Sequence, residues 1–189
     1  MDSQTQHPSE PVTGDNPLVI LFRHNLWANL NLIDACTALD AGQLATRAVG
    51  VYGTLYDTLH HIVRAEQHYL ALLTGRKTVY PLRREQSPEI AVIREQARLA
   101  GEGLIAYAAV VTPDAQGYGD DDEDENIVWP IPAGFLLTQV VNHATEHRAQ
   151  VMTLLSQLGI EPPDLSGWKY MDDTVVVTPI PRSEAGRDV

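Results

Sequence analysis

The sequence is poor in several things, and each shortage excludes something. Of its 189 residues a single one, Cys36, is cysteine, so no intramolecular disulfide can form, which suits a reducing compartment. Cys36 falls on an apolar helical stripe and reads as a small buried hydrophobe rather than a nucleophile. No uninterrupted apolar run approaches the ~20 residues that a membrane span needs, so no membrane partner is expected. The opening MDSQTQHPSEPVTGDNP has neither a basic n-region nor an apolar h-region. It therefore resembles neither a secretory signal nor a transit peptide, and a cytoplasmic location is expected. Basic residues are scarce: 13 against 25 acidic ones, a formal charge of −12. A surface of that sign repels a phosphate backbone, so no nucleic-acid partner is expected. Strand patterning is almost missing too, with only Val175-Val176-Val177 reading as a short extended segment. There is no internal repeat.

What remains is a chain long enough for one domain and 44 % apolar, which fits a folded globular protein. Residues 1–16 read as a disordered arm and 183–189 as a loose tail. Asn16 and Pro17 suit the cap and first turn of a first helix. Its stripe of Phe22, Asn25, Asn29, Ile33 and Cys36 extends to a stop near Ala41-Gly42. Thr54 caps a second helix, whose stripe is Leu55, Leu59, Ile62, Tyr69 and Leu73 and which Gly75 ends. Ser87-Pro88-Glu89 opens a third helix, with Ile90, Ile93, Ala97, Ala100, Leu104, Ala108 and Val111 at helical spacing, closed by Thr112-Pro113. After an acidic loop around 119–126 and a short extended piece at Ile127–Pro130, Pro132 opens a fourth helix that runs to about Leu158, before Gly159. Four amphipathic helices without a convincing strand pattern predict an all-α four-helix bundle.

Two of the seven histidines stand where a core would put leucine. The stripe of the fourth helix reads Leu136, Val140, His143, His147, Val151, Leu154 and Leu158. A spacing of four residues puts both rings on one face with Cβ atoms ~6 Å apart, close enough for one metal ion at ~2.0 Å from each. The pair alone is equally compatible with two hydrogen-bonded core histidines. A third ligand would come from the second helix. At ~100° per residue, His60 points away from the apolar stripe, while His61 lies on its flank and His68 a little further round. His61 is thus preferred to His60. His7 falls in the arm and His24 in the early part of the first helix. His143 to His147 also spell H-x-x-E-H, the inverted zinc-peptidase motif, but that motif needs a further downstream acidic ligand and a two-lobed scaffold, for which the chain after His147 leaves little room. In the acidic run, Asp120, Asp122 and Asp124 alternate as in a calcium loop. The required glycine and final glutamate are replaced by Glu125 and Ile131, so a solvated charged loop is expected.

Three blocks resemble the DinB/YfiT-like superfamily: His24-Asn25-Leu26-Trp27-Ala28-Asn29; Gly53-Thr54-Leu55 through His61-Ile62-Val63-Arg64-Ala65-Glu66; and Asn142-His143-Ala144-Thr145-Glu146-His147-Arg148-Ala149-Gln150, followed by Leu-Gly-Ile-Glu-Pro-Pro. The resemblance spans roughly residues 17–165, leaving 166–189 as a C-terminal extension and tail. It departs from the commonest pattern at Glu146, often histidine, and at Ala149, often glycine. It implies an up-down-down-up four-helix bundle, often a homodimer, with His61, His143 and His147 as ligands of a divalent metal ion. Imidazole ligands suit zinc, nickel or iron without choosing among them. The resemblance further implies a metal-dependent transferase that activates a low-molecular-weight thiol such as bacillithiol or mycothiol, an S-transferase or isomerase relative acting on a small-molecule substrate. The alternatives are a metal-dependent hydrolase using metal-bound water and a non-catalytic metal-binding dimer. Gln139, one turn before His143, and Glu146 are each placed either beside the ligands, fixing them, or simply at the edge of the bundle. Arg148 and Gln150 would contact the first helix or a partner subunit.

Overall fold

Asn16 starts the first helix as the sequence reading expects. Its side chain accepts a hydrogen bond from the Leu18 amide at 2.9 Å, and Pro17 occupies the first turn, where its missing N–H costs nothing. The computed structural model describes residues 16–78, 81–121, 123–124 and 126–180. The expected arm up to residue 15 and the tail 183–189 lie outside the described residues.

Six helices and one hairpin are described: α1 Pro17–Ala35, α2 Ala41–Leu44, α3 Leu55–Thr74, α4 Ile90–Ala108, β1 Gln116–Asp120, β2 Val128–Pro132, α5 Ala133–Gln157 and α6 Gly167–Thr174. Thr54 and Asp57 form a reciprocal capping box at the start of α3, and Gly75 ends it in the left-handed conformation at φ 65°. Four departures from the sequence reading have local causes. The first helix stops at Ala35, not near Ala41-Gly42. The chain turns there and restarts as one helical turn, α2, under its own capping box of Asp40 and Gln43. α4 begins at Ile90, later than Ser87-Pro88 suggested, with Glu89 at the cap position and no side-chain cap bond. It also ends at Ala108, before Thr112-Pro113. The acidic loop tips an antiparallel hairpin with Tyr118 opposite Pro130, whereas only the β2 side read as extended. Within the loop, Asp121 accepts from the amides of Glu123 and Asp124 and from the Trp129 indole N–H. α6 lies in the segment expected as an extension. It packs the buried Tyr170 edge-on against His24 and at a tilt against Trp27 of α1. Val175 leaves α6 with extended backbone, and no ladder forms there among the described residues.

The four long helices pack in a ring: α1 against α4, α4 against α3, α3 against α5, and α5 back onto α1. Their apolar stripes build two core clusters. One contains Leu32, Ile33, Leu55, Leu59, Ile93, Val151, Leu154 and Leu155. The other contains Val19, Phe22, Leu73, Leu104, Leu136, Leu137 and Val140. Between them along the helices comes a buried polar layer: Asn25 and Asn29 on α1, Glu66 on α3 and Arg148 on α5. The packing is tight at Gly101 on α4, where a Cβ would come within 2.5 Å of Leu26 Cδ1 on α1. None of the described helices is long and apolar enough to cross a membrane.

Candidate metal centre

The i, i+4 spacing on α5 and the packing of α3 against α5 bring His61, His143 and His147 together. One ring nitrogen from each lies within 4.8 Å of the others. The Nε2 atoms of His143 and His61 stand 3.0 Å apart. The three rings cross at 61–87°, with centroids 4.4–4.8 Å apart. Nitrogens that share one metal ion at 2.0–2.1 Å stand about 3.3 Å apart. Small side-chain adjustments would bring this set to that spacing. Three half-buried imidazoles with no carboxylate among them form a donor set suited to a borderline-soft divalent cation. The residues present therefore fit a metal ion.

Proton positions follow from the hydrogen-bond network. Gln150 Oε1 lies 2.9 Å from His147 Nδ1 and 3.1 Å from the Tyr52 backbone N. A carbonyl oxygen only accepts, so His147 carries its proton on Nδ1 and presents a free lone pair on Nε2. Arg64 Nη2 is 3.3 Å from His61 Nδ1. A guanidinium only donates, so in the metal-free neutral site His61 accepts at Nδ1 and holds its proton on Nε2. That proton is donated to His143 Nε2, which leaves the His143 proton on Nδ1, a buried atom with no partner among the described residues. Two of the three rings are thus already in the tautomer that a metal at Nε2 requires. Only His61 is not.

Burial pushes the His61 imidazolium down to about 4, reinforced by the neighbouring charges of His143, His147, Arg64 and His60. Burial likewise lowers His143, followed by the charge of His147, while Glu146 pulls the other way. At neutral pH both rings are neutral, as ligands must be. Tyr52 stacks on His61 with centroids 3.9 Å apart and planes 10° from parallel, and meets His147 edge-on.

Of the other residues singled out from sequence, His60 is not turned away from the protein. It is 6 % exposed, stacked on Tyr56, with its Nε2 buried and without a partner among the described residues. The single-stripe reading fails because α3 is covered by both α4 and α5. His68 is exposed on the far flank. The ring of His24 contacts the carbonyl of Leu165 at 2.9 Å, remote from the cluster. His7 lies outside the described residues. Gln139 reaches the Tyr69 hydroxyl at 3.4 Å, and the Tyr69 ring stands 6.0 Å from His143, so Gln139 reaches the histidine cluster only through Tyr69. Glu146 is exposed and accepts from Asn142 at 3.0 Å. Arg148 does contact α1. Its Nη1 donates to Asn25 Oδ1 at 2.7 Å and Asn29 Oδ1 at 2.8 Å, while the amide nitrogens of both asparagines donate to Glu66 Oε1. Gln150, expected against the first helix or a partner subunit, instead contacts His147 and the Tyr52 backbone, and Tyr52 is the contributor that sequence reasoning missed. The signal for Gln150 was its place three residues after His147, on the same helical face. Nothing in the sequence points to Tyr52, which stands in the irregular turn before α3.

Comparison with known proteins agrees with this fold. The sequence model of the DinB family matches residues 12–183. A solved structure, that of a DinB-like protein from Bacillus cereus ATCC 10987, is similar with a TM-score of 0.59 at 20 % identity, covering 77 % of this chain and 93 % of that one. No match was found among proteins of curated function. With the family model spanning nearly the whole sequence, the chain belongs to the DinB family.

Proposed function

We propose that this chain is a metal-dependent enzyme in which His61, His143 and His147 hold one divalent ion, and that it activates a low-molecular-weight thiol of the bacillithiol or mycothiol kind for transfer to a small-molecule electrophile. The observation that carries this reading is the donor set itself: three converging imidazole nitrogens with no carboxylate among them. Such a set leaves open positions and the full charge of zinc, nickel or iron, so a thiol bound there is held as the thiolate near neutral pH. The protein's own part is to orient and to shield. Gln150 keeps the Nε2 lone pair of His147 aimed inward. Tyr52 covers one face of the His61 ring while remaining 47 % exposed, at the border between site and solvent. The ring of four long helices supports the up-down-down-up bundle implied by the family resemblance. A homodimer in the cytoplasm completes the proposal.

The test has two stages. Metal analysis by mass spectrometry of the reconstituted protein gives about one ion per chain, and a His143→Ala variant loses it; equal metal in both defeats the ligand assignment. A panel of electrophiles is then offered with bacillithiol, mycothiol, glutathione or no thiol. Thiol-dependent product formation supports the reading, whereas turnover by water alone replaces it with hydrolysis.

A further inference from the structure

Arg64 sits one turn after His61 on α3, half-buried, with its guanidinium 3.3 Å from the His61 Nδ1 atom. Three arginines of the long helices have carbonyl or carboxylate acceptors: Arg94 grips Asp34, Arg98 binds Glu95 and Glu102, and Arg148 holds two asparagine carbonyls. Among the described residues no carboxylate lies within ion-pairing distance of Arg64. Its one hydrogen-bond partner among them is an imidazole nitrogen.

That bond exists in only one tautomer of His61. When His61 Nε2 gives its lone pair to a metal, the ring's proton must sit on Nδ1, and an N–H then faces a guanidinium N–H. Two donors cannot satisfy each other, and leaving either unpaired in a half-buried site is costly. Arg64 must turn away from the ring, and a negatively charged oxygen in the vacated position satisfies both donors with charge-assisted hydrogen bonds. We infer that metal loading releases Arg64 from His61 and makes the pair Arg64 Nη–H and His61 Nδ1–H a binding site for a carboxylate group of the substrate. The inference rests on the metal-site reading above. It extends that reading by naming the charge of the substrate and the residue that recognises it. In this arrangement Arg64 is a specificity residue: it contacts neither the ion nor the transferred atom, and selects small molecules bearing a carboxylate beside the reacting group.

Linkage gives a test that needs no substrate. If the anion site forms only with metal bound, anion and metal raise each other's affinity by the same factor. Zinc affinity of the full chain is measured by chelator competition, with and without saturating acetate. In the wild type acetate tightens zinc binding on the order of tenfold, the size one charge-assisted hydrogen bond supplies. In Arg64→Met zinc binds at least as tightly without acetate, because no His61 bond must break, and acetate has no effect. An equal acetate effect in both proteins means that the anion sits on the metal, and overturns the inference. So does zinc binding in the wild type with no acetate effect, a result that leaves the metal site standing. Failure of the wild type to bind zinc overturns the metal reading itself. A second measurement stands apart from the variant's folding: ring ¹⁵N spectra of the metal-free wild type show His61 protonated on Nε2, and on zinc addition the proton appears on Nδ1. A His61 already protonated on Nδ1 without metal defeats the inference.

Discussion

Gln150 accepts the Nδ1 proton of His147 at 2.9 Å, and through the same oxygen it accepts the backbone N–H of Tyr52. One side-chain carbonyl therefore fixes both a candidate ligand's tautomer and the turn that lays Tyr52 across His61. Partners of this kind contribute about 10–100-fold to metal affinity. Gln150→Leu, which keeps the volume and removes the acceptor, is expected to weaken zinc binding by roughly that factor while the helix content seen by circular dichroism stays constant. Unchanged affinity would show that His147 is oriented by packing alone.

The buried layer at mid-height makes a different prediction. Arg148 does not touch Glu66. The Asn25 and Asn29 amides stand between them, nitrogen toward the carboxylate and oxygen toward the guanidinium. Burial raises Glu66, a tendency that the two asparagine hydrogen bonds and then the Arg148 charge oppose; burial also lowers Arg148. Removing the cation leaves a fully buried acid and two orphaned amide oxygens. Arg148→Met is expected to cost about 3–5 kcal/mol in urea unfolding, the range for a broken buried pair. Because both partners belong to one network, the Glu66→Gln, Arg148→Met double variant loses less than the sum of the singles. Additive losses would mean that the asparagines insulate the two groups.

Cys36 offers a check on the core. It is 0 % exposed among Leu32, Ile33 and Leu55, and burial pushes its thiol up to about 12. The thiolate that reacts is absent at neutral pH. The native protein should therefore leave Ellman's reagent uncoloured, with one equivalent released only after denaturation. Reaction in the native state at the rate of a free thiol would contradict the packing of α1 described here.

Much of this was legible in the sequence, for identifiable reasons. Helices closed by strong local signals, such as the Thr54–Asp57 box and Gly75, have the ends that those signals give. His143 and His147 stand out because a polar pair interrupts an otherwise apolar seam. Asn25 and Asn29 break the α1 stripe in the same way, and the structure shows them at the centre of the polar layer. Other features depend on tertiary context. A helical wheel with one apolar stripe cannot foresee that α3 is covered on two sides, and so it misplaces His60. Gln116–Asp120 has no alternating apolar pattern. It is a strand because β2 pairs with it and because Gly117 lets it pass the α3 backbone, where a Cβ would come within 2.8 Å of the Leu72 carbonyl. α6 buries a single residue, Tyr170, too little for periodicity to reveal.

Acid should destabilise the metal-free protein through His61. In the folded metal-free protein His61 titrates at about 4, because burial and its cationic neighbours oppose the charge. In the unfolded chain an ordinary histidine titrates near 6.5. Between those values the unfolded state binds the extra proton, so stability falls as pH falls. The loss begins as pH drops through about 6.5 and is complete a little below 4. His143 and His60 are shifted in the same direction and add to it, whereas Glu66, whose proton affinity burial raises, acts in the opposite sense at the acid end. The contribution of His61 is therefore isolated by difference. Metal-free wild type and a His61→Asn variant are melted at intervals from pH 7 to about pH 4. The wild type should lose more thermal stability than the variant across that window, and the two curves should run parallel above it. Saturating zinc should steepen the wild-type loss further, since protons then compete with the bound metal for the same nitrogens. Parallel curves throughout would mean that His61 is as well solvated in the folded protein as in the unfolded chain, which the stacking of Tyr52 against its ring argues against.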